Sequence, residues 1–153
     1  MIDRFERLTT GVSRIYKKIQ KIKKEEMHVF GLKGTHAMCI HYLFSAADGL
    51  TASDLCIKCN EDKAAISRIL SELESIGFLS YDSSSEGKKY RAKAVLTEKG
   101  KIYAEGIRKT ILQLTELSGK GISDEDRETF YRVLSIIADN IDNIERNESY
   151  EPF

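Results

Sequence analysis

The chain has 153 residues, 41% of them hydrophobic and 31% charged, with 24 basic side chains balanced by 24 acidic ones. That length holds one domain with a sizeable core, or a small reading unit joined to a pairing unit. No stretch nears the ~20 apolar residues of a membrane helix. The opening Met1–Arg7 is charged where a signal peptide is apolar, and three cysteines make no disulfide framework, so the expected setting is the cytoplasm, away from membranes.

The neutral total hides segregated charge. Arg14, Lys17, Lys18, Lys21, Lys23, Lys24 and Lys33 fall within one stretch that holds only Glu25 and Glu26, whereas nine carboxylates face three arginines from Gly121 onward. Such a chain can turn a basic face to a polyanion and keep acid elsewhere.

In chain order, Ile2, Phe5, Leu8, Val12, Ile15, Ile19 and Ile22 recur at spacings of three and four, one apolar stripe on a long helix. Gly31 and Gly34 break it in a turn over His28–Gly34. Thr35 is placed to cap a second helix through Met38, Cys39, Tyr42 and Leu43. Thr51 with Asp54 three residues later predicts a capped short helix. Asp62 caps a helix over Lys63–Ile76 with Ile66, Ile69, Leu70, Leu73 and Ile76 on one face, and Gly77 ends it. The period then changes to two. Residues 78–81 form a short strand, Asp82–Gly87 a turn, and Tyr90, Ala92, Ala94 and Leu96 alternate with Arg91, Lys93 and Val95 along a second strand. Thr97 caps a helix with Tyr103, Ile107, Ile111, Leu114 and Leu117 on one face. Ser123 starts a last one with Phe130, Val133, Leu134, Ile137, Ile141 and Ile144.

The fold class is therefore mainly α with a small β-hairpin wing: a winged helix-turn-helix flanked by long terminal helices. The expected organisation is a single domain over 1–153, with residues 35–97 as the DNA-binding lobe and 1–30 and 101–153 as dimerisation helices. Phe5, Leu8, Val12, Ile15, Ile137 and Ile141 carry apolar stripes that so small a core cannot cover, and a second copy would cover them.

At about 100° per residue, Ala64, Ser67, Arg68, Ser71 and Ser75 point away from the apolar side of the helix after Asp62. Small side chains let a helix sink into the major groove, and a guanidinium binds guanine or phosphate in bidentate fashion. Lys63 is placed for backbone phosphate. Lys88, Lys89 and Arg91 put positive charge on the hairpin, suited to phosphate or minor-groove contact.

Leu50–Leu55, Asp62-Lys63-Ala64-Ala65-Ile66-Ser67-Arg68-Ile69-Leu70, Leu73-Glu74-Ser75-Ile76-Gly77-Phe78-Leu79 and Leu96-Thr97-Glu98-Lys99-Gly100 together resemble the MarR family of bacterial regulators. The resemblance implies a homodimer whose terminal helices interlock, acting on a pseudo-palindromic operator in duplex DNA as a repressor, and released by a small molecule or by oxidation of cysteine. The family's wing commonly carries Asp-x-Arg or Arg-Arg. Here Gly87-Lys88-Lys89-Tyr90-Arg91 stands in that place, leaving the role to Lys88, Lys89 and Arg91.

Cys56-Ile57-Lys58-Cys59 is a C-x-x-C. Zinc needs about four ligands, and only His36, Cys39 and His41 are at hand, so no metal or cofactor is expected. Core packing accounts for Cys56 and Cys59, with redox or metal sensing as the alternative. His36, His41 and Tyr42, with His28, are the candidates for a small-molecule effector pocket, a placement that the family resemblance implies. The chain carries no phosphate loop, nucleophile elbow or HExxH, so an enzyme is not expected. The alternative to a DNA-binding regulator is a dimeric interaction or ligand-sensing module with this fold and little duplex binding.

Overall fold

The computed structural model describes residues 2–81 and 92–146. The chain divides into two compact units, residues 1–111 and 112–153. The first unit contains α1 (Ile2–Val29), α2 (His36–Phe44), α3 (Ala52–Cys59), α4 (Lys63–Ser75), β1 (Leu79–Tyr81), β2 (Ala94–Leu96) and the first part of α5 (Glu98–Ser118). The second holds the rest of α5 and all of α6 (Asp124–Arg146). This is the order read from the sequence, and it is a winged helix-turn-helix.

Neither α3 nor α4 is long enough to persist as an isolated helix in water, so tertiary burial and end caps must hold them. Leu55 of α3, Ile66 and Leu73 of α4, Ile40 of α2 and Ile107 of α5 are all fully buried in one cluster. Full burial of such a side chain contributes about 1.5–3 kcal/mol. The α3 cap is the predicted box: Asp54 N–H donates to Thr51 Oγ1 at 3.2 Å, and Thr51 N–H donates back to the Asp54 carboxylate at 2.9 Å. Hydrogen bonds from the Thr51 hydroxyl and backbone hold the Asp54 carboxyl below its ordinary value of 3.8. Thr51→Ala is expected to lower stability by about 1 kcal/mol, read from urea unfolding at neutral pH. The Asp54 share is complete above 3.8 and fades as acid passes through the lower folded value. The wild-type advantage over Thr51→Ala therefore shrinks in acid.

The chain leaves α3 through Asn60, left-handed at φ 52°, and Asp62 caps α4 by accepting from Ala65 N–H at 2.7 Å. Gly77 has the expected positive φ, 76°. The hairpin pairs Leu79 with Leu96 and Tyr81 with Ala94, antiparallel. Ala92, Ala94 and Leu96 are buried while Lys93 is exposed, but the second strand is shorter than read, since Ala92 and Lys93 precede it, and the first begins at Leu79, not Phe78. The turn at Asp82–Gly87 and the strand residues Tyr90 and Arg91 lie outside the described residues.

Three further details differ from the sequence reading. The first helix continues through His28 to Val29. Thr35 stands before α2 but is itself helical, and its side chain caps nothing. An N-cap needs an extended backbone to turn its hydroxyl back over the first turn, whereas Thr35 has φ −66° and ψ −23°, and the Ala37 N–H reaches Gly34 O instead. Ile76 is not part of the buried face of α4 but 39% exposed, since the helix ends at Ser75 and the turn into Gly77 swings it outward.

Leu50 adds an unforeseen backbone pairing, giving and receiving hydrogen bonds with Ala94 at 3.1 and 2.8 Å. Gly49 permits it, for a side chain there would come within 2.6 Å of Ala94 O and Val95.

In the second unit, Ser123 caps α6 as expected, accepting from Asp126 N–H at 3.1 Å. Phe130, Val133, Leu134, Ile141 and Ile144 of α6 are exposed, and Ile137 is half-buried. In the first unit, Ile2, Phe5, Val12, Ile15 and Ile19 of α1 are exposed too, with Leu8 half-buried. Among the described residues no helix is long and apolar enough to cross a membrane.

Candidate nucleic-acid interface

The two sides of α4 differ sharply. Ile66, Ile69, Leu70 and Leu73 are buried, whereas Lys63, Ala64, Ser67, Arg68, Ser71 and Ser75 are all exposed. The outward side is thus a ridge of small and hydroxyl side chains bearing one guanidinium. At its start Lys63 joins the first-turn amides, one of which Asp62 already occupies. Lys88, Lys89 and Arg91 lie outside the described residues.

The inner side of α4 is pinned from its far end. Glu72 bonds the buried His36 at 2.8 Å and Lys33 Nζ at 2.6 Å. Lys33 N–H donates to His36 Nδ1 at 3.2 Å, so the ring proton sits on Nε2 and points at the Glu72 carboxylate. Lys33 first, then His36, holds Glu72 below the usual carboxylate range. The contact joins the start of α2 to the last turn of α4, which ties the orientation of the outward ridge to α2.

Of the histidines and tyrosine read as an effector pocket, His36, His41 and Tyr42 share α2. His36 is occupied by Glu72 and Lys33, and His28 is exposed. His41 and Tyr42 are both half-buried, ring centroids 5.4 Å apart, with Lys58 Nζ 5.6 Å above the Tyr42 ring. His41 Nδ1 is buried and has no hydrogen-bond partner among the described residues. Among the described residues no three His, Cys, Asp or Glu side chains gather as a metal set.

The cysteines pair differently from the C-x-x-C reading. Cys59 lies against Cys39 of α2, sulfurs 3.9 Å apart. Cys39 is fully buried, whereas Cys56 and Cys59 are half-buried. Local spacing drew attention to Cys56 and Cys59, and an approach across 20 residues has no local signature.

A buried three-helix lobe, an outward-facing second helix and a hairpin define the winged helix-turn-helix class. No protein-family model matches the chain. It is 33% identical over 99 residues to an uncharacterized HTH-type transcriptional regulator, YdgJ, of Bacillus subtilis (strain 168), a match that takes in 65% of this chain and 60% of that protein. The chain thus spans less than two thirds of that relative's length. Among solved structures, it superposes on a MarR/EmrR family transcriptional regulator from Acinetobacter sp. ADP1 with a TM-score of 0.78 at 22% identity, covering 94% of this chain and 99% of that one. S. aureus MepR in complex with DNA matches with a TM-score of 0.78 at 16% identity, over 88% and 97% of the two chains. The fold is that of the MarR-family transcriptional regulators, as the sequence resemblance implied.

Proposed function

We propose that the chain is a transcriptional regulator, not an enzyme, that reads duplex DNA as a homodimer in the cytoplasm. The observation that carries this reading is the exposed ridge of α4, capped at its start and backed by a buried apolar face. Ala64, Ser67 and Ser71 allow close approach to base edges, Arg68 supplies the bidentate donor, and Lys63 meets phosphate. Lys88, Lys89 and Arg91 extend the contact from the wing. The DNA complex of the similarly folded S. aureus MepR supports the assignment. The exposed stripes of α1 (Phe5, Val12, Ile15) and α6 (Ile141), with the half-buried Leu8 and Ile137, are the surfaces a second copy would cover. The regulator acts as a repressor on a pseudo-palindromic site, with a small molecule as effector.

Selection of the purified protein on random-sequence duplexes at two salt concentrations tests this. A pseudo-palindrome with half-sites about one helical turn apart, bound more weakly at higher salt, is the expected result. Absence of any enriched sequence, with only weak salt-sensitive retention, would instead support the interaction or ligand-sensing module, to which the balanced charge is equally suited.

A further inference from the structure

We propose that Lys33 is a positioning residue for DNA recognition, one that holds the Glu72 carboxylate off Arg68 and so keeps that guanidinium available to the duplex. On a helix, side chains three and four residues apart are neighbours, with about 5–6 Å between their Cβ atoms. Around Arg68 those positions are Ala64, Ala65, Ser71 and Glu72, and Glu72 alone is charged. A guanidinium and a carboxylate so placed on an exposed helix pair with each other. That pairing would neutralise Arg68, the one cation of α4 beyond Lys63.

Glu72 is engaged elsewhere. Its Oε2 accepts from His36 Nε2 at 2.8 Å and its Oε1 from the Lys33 ammonium at 2.6 Å. Among the described residues Arg68 enters no ion pair. The two partners of Glu72 have different roles. His36 is buried, and losing the carboxylate would leave its ring proton unsatisfied, which costs more than an exposed helix pair returns. That bond fixes where the carboxylate sits, and one oxygen is left over. The Lys33 ammonium, on an exposed side chain, occupies it. The Lys33 N–H closes the ring of contacts on His36 Nδ1 at 3.2 Å.

Without the ammonium, Oε1 falls to Arg68, four residues back on the same helix. A duplex would then have to break an ion pair on α4 before it could use the guanidinium. Neither Lys33 nor Glu72 touches DNA in this scheme. The effect on affinity rests on the function proposed above; the choice of partner by Glu72 does not.

The test compares full-length variants on a selected duplex at one fixed salt concentration. Lys33→Met removes the charge from an exposed side chain and should keep the melting temperature of the parent. It should weaken binding about threefold for each recognition helix, hence about tenfold on a duplex held through two half-sites. Glu72→Gln removes the carboxylate but keeps an oxygen that can accept from His36. In that background, and separately in Arg68→Ala, the same Lys33→Met change should cost less than about twofold. A loss that survives in either background would overturn the proposal and make Lys33 a phosphate contact. No loss in the parent background would overturn it too. The free protein gives a second readout that needs no DNA. The Arg68 Nε–Hε resonance, assigned by its absence in Arg68→Ala, should shift in Lys33→Met and return when Glu72→Gln is added. An unmoved resonance would overturn the proposal even in a protein that binds duplex tightly. A resonance that moves and returns, in a protein that binds no duplex, would sink the DNA reading alone and leave the hold of Lys33 on Glu72 standing.

Discussion

Gly100→Ala is expected to destabilise the protein by about 3 kcal/mol, at the upper end of what overpacking costs. Gly100 lies in the first turn of α5, and a methyl group there would overlap the carbonyl oxygen of Phe78 outright and come within 3.0 Å of its carbon. Backbone cannot rotate away as a side chain can. The Phe78 oxygen also has an assignment, accepting Thr97 N–H at 3.0 Å. The Thr97 hydroxyl donates to Gly77 O at 2.7 Å and accepts from Gly100 N–H at 3.1 Å. Shifting Phe78 to admit a methyl would strain all three bonds and disturb its ring, which packs 4.5 Å from Tyr103. Gly77→Ala makes a graded comparison. Its φ of 76° is unfavourable for alanine, but the space beside it is open, so a cost of about 1–2 kcal/mol follows from backbone strain alone. Urea unfolding of both variants should rank Gly100→Ala clearly below Gly77→Ala. Equal midpoints would mean that α5 does not press on the Phe78 backbone in solution.

The contrast between these glycines also shows what a sequence makes legible. Gly77 is recognisable locally, because a glycine just after the last apolar position of an amphipathic stretch marks a helix end. The need for Gly100 is a matter of closeness to a carbonyl more than 20 residues earlier, and it entered the sequence reading only as one letter of a family motif. The same division runs through the site. The caps at Thr51, Asp62, Thr97 and Ser123, and the small-polar face of α4, follow from local hydrogen bonding and the helical period, and they stand as read. Glu72, which holds His36 and Lys33, was unremarked because 36 and 39 residues separate it from its partners. The cap assigned to Thr35 failed for a related reason: local chemistry allowed it, but the preceding turn sets Thr35 in the helical region instead of the extended one a cap needs. Ile40, absent from the predicted stripe of α2, is fully enclosed. A nine-residue helix with buried residues on most sides carries no one-sided periodicity to read.

Ser67→Glu is expected to abolish specific duplex binding while leaving the fold intact, a loss of at least about 100-fold if a carboxylate opposed to phosphate costs several kcal/mol. Ser67 is exposed in the middle of the α4 ridge, between Ala64 and Ser71 and beside Arg68. A surface substitution of this kind changes stability by no more than about 0.5 kcal/mol, and glutamate is the better helix former. Affinity and melting temperature should therefore separate, and that separation distinguishes a recognition surface from a structural one. Arg68→Ala resolves the contact further. A guanidinium on a guanine edge predicts a loss of about 1–3 kcal/mol and relaxed preference at one base pair. On phosphate it predicts a loss that is uniform across sequences, with the salt slope reduced by about one. Retained affinity in Ser67→Glu, with the helical signal and melting temperature of the parent, would place α4 outside the groove. The chain would then be a module that keeps the winged helix for some purpose other than reading DNA.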